Sequence, residues 1–143
     1  MPDQFDPAEF LSVTGEAIVA ANAGGEIIYW NPAAARIFGH TQEEAIGRAL
    51  DLIIPEKLRA RHWTGYDEVM KTGQTRYGND VLRVPALHKD GRSLSIAFTV
   101  ALMRAPDASW IVAASIRDET QRWQEERELK KRIAELEATS RAS

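Results

Sequence analysis

Residues 17–48 read AIVAANAGGEIIYWNPAAARIFGHTQEEAIGR, which parses as strand, tight turn, strand and two short helices. Ala17–Ala21 is a short apolar run. Ala23-Gly24-Gly25 supplies the backbone freedom of a hairpin turn, because glycine reaches positive φ without a Cβ clash. Residues 26–30 form the returning strand. Asn31-Pro32 closes it: an asparagine oxygen caps free helical N–H groups, and proline at the first helical position loses nothing by lacking a donor. A helix over Pro32–Phe38 then stops at Gly39. A second opens on Thr41-Gln42-Glu43-Glu44, a capping box in which Thr41 and Glu44 satisfy each other's end groups, and stops at Gly47.

Upstream of this unit, Asp6-Pro7-Ala8-Glu9 repeats the capping-box pattern with proline at the first helical position. It predicts a short helix over Pro7–Val13, with Phe5, Phe10 and Leu11 forming an apolar side that has to be covered. Downstream, residues 49–54 are an apolar connector, and Pro55 opens the longest internal helix, over residues 56–71. Leu58, His62, Tyr66 and then Val69 or Met70 recur at spacings of three and four, a stripe that should face a sheet. Trp63 lies one position off that stripe. Residues 76–86 read as a strand in which Pro85 requires an edge position or a strand end, since proline cannot donate to a ladder. Residues 93–103 alternate most cleanly, with Leu94, Ile96, Phe98, Val100 and Leu102 on one face, and residues 110–116 form the last strand. Five antiparallel strands with helices gathered between the second and third define an α+β domain with its helices on one face of the sheet.

From Asp118 the chain becomes highly charged and helix-favouring, with no glycine or proline. Leu129, Ile133 and Leu136 keep a 4-3 spacing, which is a seam for another helix about two heptads long or, equally, the few apolar residues of a solvated terminal helix. The expected divisions are an N-terminal capping helix over 1–15, a central domain over 16–119 and an amphipathic helix over 120–143. The closing TSRAS reads as a natural tail or as a boundary inside a longer chain.

The chain has 143 residues, 44% of them hydrophobic, enough for one core. No apolar run approaches the ~20 residues that span a bilayer, and the acidic MPDQFDPAEF start is unlike a signal peptide, so a cytoplasmic location without membrane contact is expected. A net charge of −3 gives no footprint for nucleic acid. The absence of cysteine excludes disulfides, thiolate metal sites, c-type haem attachment and a cysteinyl-flavin within the chain. No phosphate loop, Gly-x-Ser-x-Gly elbow or spaced nucleophile–base pair is present, so a non-enzymatic module is expected.

The succession described above, with Asn31-Pro32-Ala33-Ala34, Phe38-Gly39, Glu43-Glu44-Ala45-Ile46-Gly47-Arg48, Lys89-Asp90-Gly91 and Arg117-Asp118-Glu119-Thr120, resembles the PAS sensory family over residues 12–122. The resemblance implies the PAS fold, with an N-terminal capping helix and a C-terminal linker helix. It implies a homodimeric signal-transduction module acting on a downstream output domain or partner protein. A small-molecule ligand would bind between sheet and helices, and Asp118 and Thr120, matching the family's Asp-x-Thr signature, would relay its presence to the helix that follows. Glu119 stands where the family has an apolar residue, which should weaken that anchor.

His62 projects from the buried stripe into the space between helix and sheet, where an imidazole in apolar surroundings is what axial ligation of haem iron needs. Ile54-Pro55-Glu56, His62 and Lys89-Asp90-Gly91 also resemble the oxygen-sensing haem PAS domains of rhizobial sensor kinases, which places their axial histidine on His62. Those domains carry an arginine on the next strand, where Leu82 stands here with Arg83 turned to the other face. The alternative for His62 is a core histidine bonded to the backbone. Leu58, Tyr66, Arg76, Leu82, Ile96, Phe98 and Val100 complete the candidate binding set, with Arg76 and Arg83 as partners for an anionic group. In the competing reading no ligand binds, and Leu58, Tyr66, Ile96, Phe98 and Val100 fill the space of a module used only for association. His40 and His88 lie at a helix junction and a turn, without metal-ligand spacing.

Overall fold

The computed structural model describes residues 3–75 and 79–142. Its sheet begins at the expected hairpin, where Asn22 Oδ1 accepts the N–H groups of Gly24 and Glu26 at 3.0 Å each, and Gly25 takes φ +82°. The two strands so joined, β1 (Ala17–Ala21) and β2 (Ile27–Trp30), pair antiparallel with Val19 opposite Trp30. β3 (Leu82–Leu87), β4 (Ser93–Arg104) and β5 (Trp110–Asp118) complete one antiparallel sheet in the order β2-β1-β5-β4-β3. β1 therefore pairs with the last strand as well as with its hairpin partner.

Pro85 lies on the edge strand β3, as its missing N–H demands. The strand is shorter than residues 76–86: it starts at Leu82, residues 79–80 precede it as turn and coil, and 76–78 lie outside the described residues.

Helix α1 (Pro7–Val13) is capped by Asp6, whose carboxylate accepts from Ala8 and Glu9; the return bond from Glu9 is not formed. α2 (Pro32–Phe38) and α3 (Gln42–Ala45) have their expected caps, Asn31 and the reciprocal Thr41–Glu44 box. They and a 3-10 turn over Leu50–Ile53 cover one half of the sheet. There the Trp30 and Phe38 rings lie 5.5 Å apart, packed with Val19, Ile27, Ile53, Leu94, Ile96 and Ile116. Full burial of Phe38 and Ile27 contributes roughly 1.5–3 kcal/mol each.

The alternation along β4 translates only partly into burial. Leu94 and Ile96 are buried, whereas Phe98, Val100 and Leu102 on the same face are half-buried. The apolar side of α1 is covered only at Leu11. None of its residues is buried, and Phe5 is 73% and Phe10 50% exposed, since the helix touches the body mainly through its C-terminal end.

That attachment runs through Asn31, 2% exposed. Its Nδ2 donates to the carbonyls of Leu11 (2.9 Å) and Glu16 (3.0 Å), and its Oδ1 accepts from Ile18 (2.9 Å) and Ala34 (3.0 Å). The near-isosteric Asn31→Asp replaces two donors with acceptors facing carbonyl oxygens. It should lower stability by about 2–4 kcal/mol, measured as a shift in urea midpoint at unchanged m-value. An unchanged midpoint would remove this side chain's structural role.

Candidate functional site

The helix α4 (Arg59–Thr72) is preceded by a separate 3-10 turn over Glu56–Leu58 instead of one continuous helix from residue 56. The tighter turn brings Arg59 back on the preceding chain, where its guanidinium donates to the carbonyls of Ile54 (3.0 Å) and Asp51 (3.2 Å). Leu58 thus precedes α4 and is half-buried. One turn into the helix, Trp63 lies over the hairpin, so close to Gly25 that a Cβ there would sit 2.2 Å from the indole. Its Nε1 donates to Asp51 Oδ1 at 2.7 Å. Tyr66, 7% exposed, donates its hydroxyl proton to the carbonyl of Asn22, and burial pushes its pKa up to about 12. At the far end Gly73 (φ +68°) ends α4 against the indole of Trp110, the first residue of β5. The helix is therefore held near its start, at its middle and at its end.

His62 stands on the first turn of α4, just before these attachments, its ring 4.7 Å from Trp63 and 5.6 Å from Tyr66. Its Nδ1 is buried and has no hydrogen-bond partner, which departs from the backbone-bonded core histidine that was the alternative. An unpaired buried polar atom costs about 1–3 kcal/mol. Burial also holds the imidazole below its ordinary pKa, a trend that the nearby Asp51 carboxylate opposes. At neutral pH the ring is accordingly uncharged, with a lone pair to give.

Of the remaining candidate residues, Leu82 and Phe98 are directly opposed across β3 and β4 and share the inner face with Val100. All three are half-buried. Val112 and Ala114, which pair with Leu102 and Val100, extend this incompletely covered apolar area. Ile96 instead belongs to the packed core. Arg76 lies outside the described residues. Arg83 points to the opposite face, its Nε 3.5 Å from Glu119 Oε2. Sequence reasoning missed Asp51 and Asn22 as anchors of α4, and no spacing signal could have disclosed bonds that span 12 and 44 residues.

The exit of the last strand is tied twice to β4. The Ser95 N–H donates to Thr120 Oγ1 at 3.0 Å, and the Glu119 N–H donates to the Ser95 carbonyl at 2.8 Å. Asp118 Oδ1 accepts from both the N–H and the hydroxyl of Thr120, at 2.9 and 2.5 Å. Helix α5 (Thr120–Ala142) starts from this point. Glu119 does not leave the junction loose: its carboxylate, 18% exposed, has the Arg83 partner that an apolar residue would lack.

A model of the PAS fold matches residues 6–119, and the chain belongs to that family. It is 35% identical over 96 residues to an uncharacterized protein of Azorhizobium caulinodans, covering 66% of this chain and 13% of that one. It is 27% identical over 109 residues to the oxygen sensor protein DosP of Escherichia coli, with 76% and 13% covered. With the sensor protein FixL of Bradyrhizobium diazoefficiens it shares 25% over 133 residues, 93% and 26% of the two lengths. The chain thus spans about an eighth to a quarter of these relatives. Among solved structures, a PAS domain from Colwellia psychrerythraea superposes with a TM-score of 0.68 at 21% identity, over 80% of this chain and 94% of that one. The chain is a PAS sensory module similar to sensor proteins. Among the described residues no helix is long and apolar enough to cross a membrane.

The charge state of His62 is open to test. Its folded pKa lies below the unfolded value near 6.5, so on acidification the unfolded chain takes up the proton first. The contribution of the neutral ring is complete above pH 6.5 and is lost as pH falls toward the folded pKa. His40, also lowered mainly by burial, acts in the same direction. Urea unfolding over pH 5–7 should show stability rising with pH, with a shallower rise in His62→Phe; an identical slope in the variant would show that His62 does not titrate this way.

Proposed function

We propose that this chain is a non-catalytic, cytoplasmic PAS sensory module in which a small ligand lodges between α4 and the half-buried face of the sheet, against His62. The observation that carries this reading is the buried, unpartnered Nδ1 of His62, in a fold whose sheet also leaves Leu82, Phe98 and Val100 half-buried. A ligand with one polar atom and an apolar body relieves both at once. α4 is held by a few bonds along its length, so an occupant wedged beneath it displaces the helix and the strands β4 and β5. The Ser95–Thr120 and Ser95–Glu119 bonds pass that displacement to α5, and through it to an output domain or partner protein. A ligand biases the output only by its difference in affinity between the two arrangements. Two copies associate, bringing their α5 helices under common control.

A second reading is favoured by the same histidine and by the likeness to an oxygen sensor protein. A neutral imidazole with a free nitrogen fits an axial haem ligand, and Leu82, Phe98 and Val100 fit the apolar walls of a haem pocket. Bound haem would supply an iron centre for a diatomic gas. His62 would hold it, Trp63 and Tyr66 would set the imidazole plane, and Leu82 would offer a bound gas no hydrogen bond.

Titration with haemin, and separately with anilinonaphthalene sulfonate as an apolar probe, divides these readings. A Soret band shift lost in His62→Ala supports haem, and saturable dye uptake without a haemin response supports another ligand. Uptake of neither probe sinks the ligand reading in favour of association alone. For the relay, Thr120→Val removes the acceptor for Ser95 and the donor to Asp118. Hydrogen exchange should then show protection at residues 120–124 falling about tenfold or more while the amides of β1 and β5 keep theirs. Equal loss throughout the sheet would mean that the junction is merely part of the global fold.

A further inference from the structure

The turn that joins β3 to β4, residues 88–92, is docked on the end of α2. The Lys89 N–H donates to the Phe38 carbonyl at 2.9 Å, and the Lys89 ammonium lies 2.5 Å from Glu44 Oε2. Glu44 Oε1 accepts the Thr41 N–H of the capping box, and the two contacts, Lys89 first, pull the Glu44 pKa down to about 2. Beside them stands the His88 imidazole, its side chain 14% exposed, so close to Gly39 that a Cβ there would sit 2.6 Å from its Cε1. The His88 N–H closes the hairpin on the Arg92 carbonyl at 3.0 Å, a short way along the chain from Ser95, which holds Glu119 and Thr120.

Nδ1 of His88 faces two groups with opposite requirements. The Asp90 N–H donates to it at 3.1 Å, which needs a lone pair, while Asp90 Oδ1 stands 3.0 Å away, which needs a proton on the nitrogen. One ring nitrogen satisfies only one of them at a time, and the protonation of the ring decides which. Imidazole is the side chain that makes this change between about pH 5 and pH 8. Asp90 stays ionised across that range: the Arg92 N–H first, and then the charges of His88 and Arg92, hold its carboxyl below the ordinary range. Lys89, Glu44, His40 and Arg48 are the other charged or titratable groups around the contact. His40 is held below its ordinary pKa first by its own burial; Lys89, His88 and Arg48 act in the same direction and Glu44 against it.

We propose that His88 is a proton switch within this turn and gives the module a second input, pH, apart from the α4 site. On acidification Nδ1 exchanges the Asp90 N–H for the Asp90 carboxylate, and the rearranged turn alters the start of β4 that holds α5 through Ser95. The ring keeps one bond in either state, so the turn changes its bonding without coming undone. The added charge falls beside the C-terminal end of α2, where a cation is favourable. The exchange at Nδ1 is independent of any ligand. Its passage to α5 rests on the relay proposed above, which hydrogen exchange in Thr120→Val tests separately.

NMR of the wild-type chain, following imidazole and amide resonances between about pH 5 and pH 8, tests the proposal. The Asp90 amide should titrate with the midpoint of the His88 ring protons and lose about threefold or more of its protection against hydrogen exchange on the acid side. The Ser95 and Thr120 amides should shift with the same midpoint. In His88→Gln the shifts of all three amides should vanish, whereas His40→Gln and His62→Phe should leave them in place. Three outcomes overturn the proposal: a His88 ring that does not titrate over this range, an Asp90 amide whose midpoint differs from that of the ring, or Ser95 and Thr120 amides that stay still in the wild type or still titrate in His88→Gln. The first two are read in the wild-type chain, so the test does not depend on how well the variant folds.

Discussion

A single buried amide holds the first third of the chain in place. Asn31 uses both donors of Nδ2 and two acceptor positions of Oδ1, so its full hydrogen-bonding capacity is met by the backbones of α1, the segment before β1, β1 itself and α2. Its own N–H adds a 3.2 Å bond to the Ile18 carbonyl. No other side chain of this size offers two donors and two lone pairs in one plane at this reach. The crossing of strand, helix and leading segment therefore depends on it. Because β1 also pairs with both β2 and β5, the placement of the last strand follows from the same joint.

From that joint the molecule divides into two mechanical regimes. Under α2 and α3 the sheet is covered by Trp30, Phe38 and a continuous set of aliphatic side chains, a close-packed region that transmits strain with little compliance. Toward β3 the inner face is half-buried, and α4 is attached by few contacts, Trp63 to Asp51, Tyr66 to Asn22 and Gly73 against Trp110. Regions with few buried contacts open at low free energy, and ligand-responsive elements are drawn from them. The strands β4 and β5 run through both regimes. A disturbance under α4 is thereby carried along the strands to Ser95 and the Asp118–Thr120 junction.

Much of this architecture was legible in the sequence because its signals are local. The Gly-Gly hairpin, the Asn31 and Thr41–Glu44 caps, the edge proline and the alternation over residues 93–103 each act within one turn or one strand, where φ preferences and side-chain periodicity decide the outcome. The landmarks from Asn31 to Thr120 then sufficed to place the chain in its family. What misled was the inference from pattern to burial. The stripe Phe98, Val100 and Leu102 has the right period, yet it stays half-buried; the apolar side of α1 has a helical pattern, yet Phe5, Phe10 and Val13 stay exposed.

The amino-acid order by itself determined the element sequence, the antiparallel α+β class and the stripe that carries His62, since these follow from residue geometry over a few positions. Only the tertiary structure decided that Asn31 is a four-bond hub, that Nδ1 of His62 lacks a partner and that Arg83 reaches Glu119. Each of these depends on where a side chain stands relative to atoms tens of residues away. That relation is settled by packing and electrostatics among elements, and no local propensity encodes it.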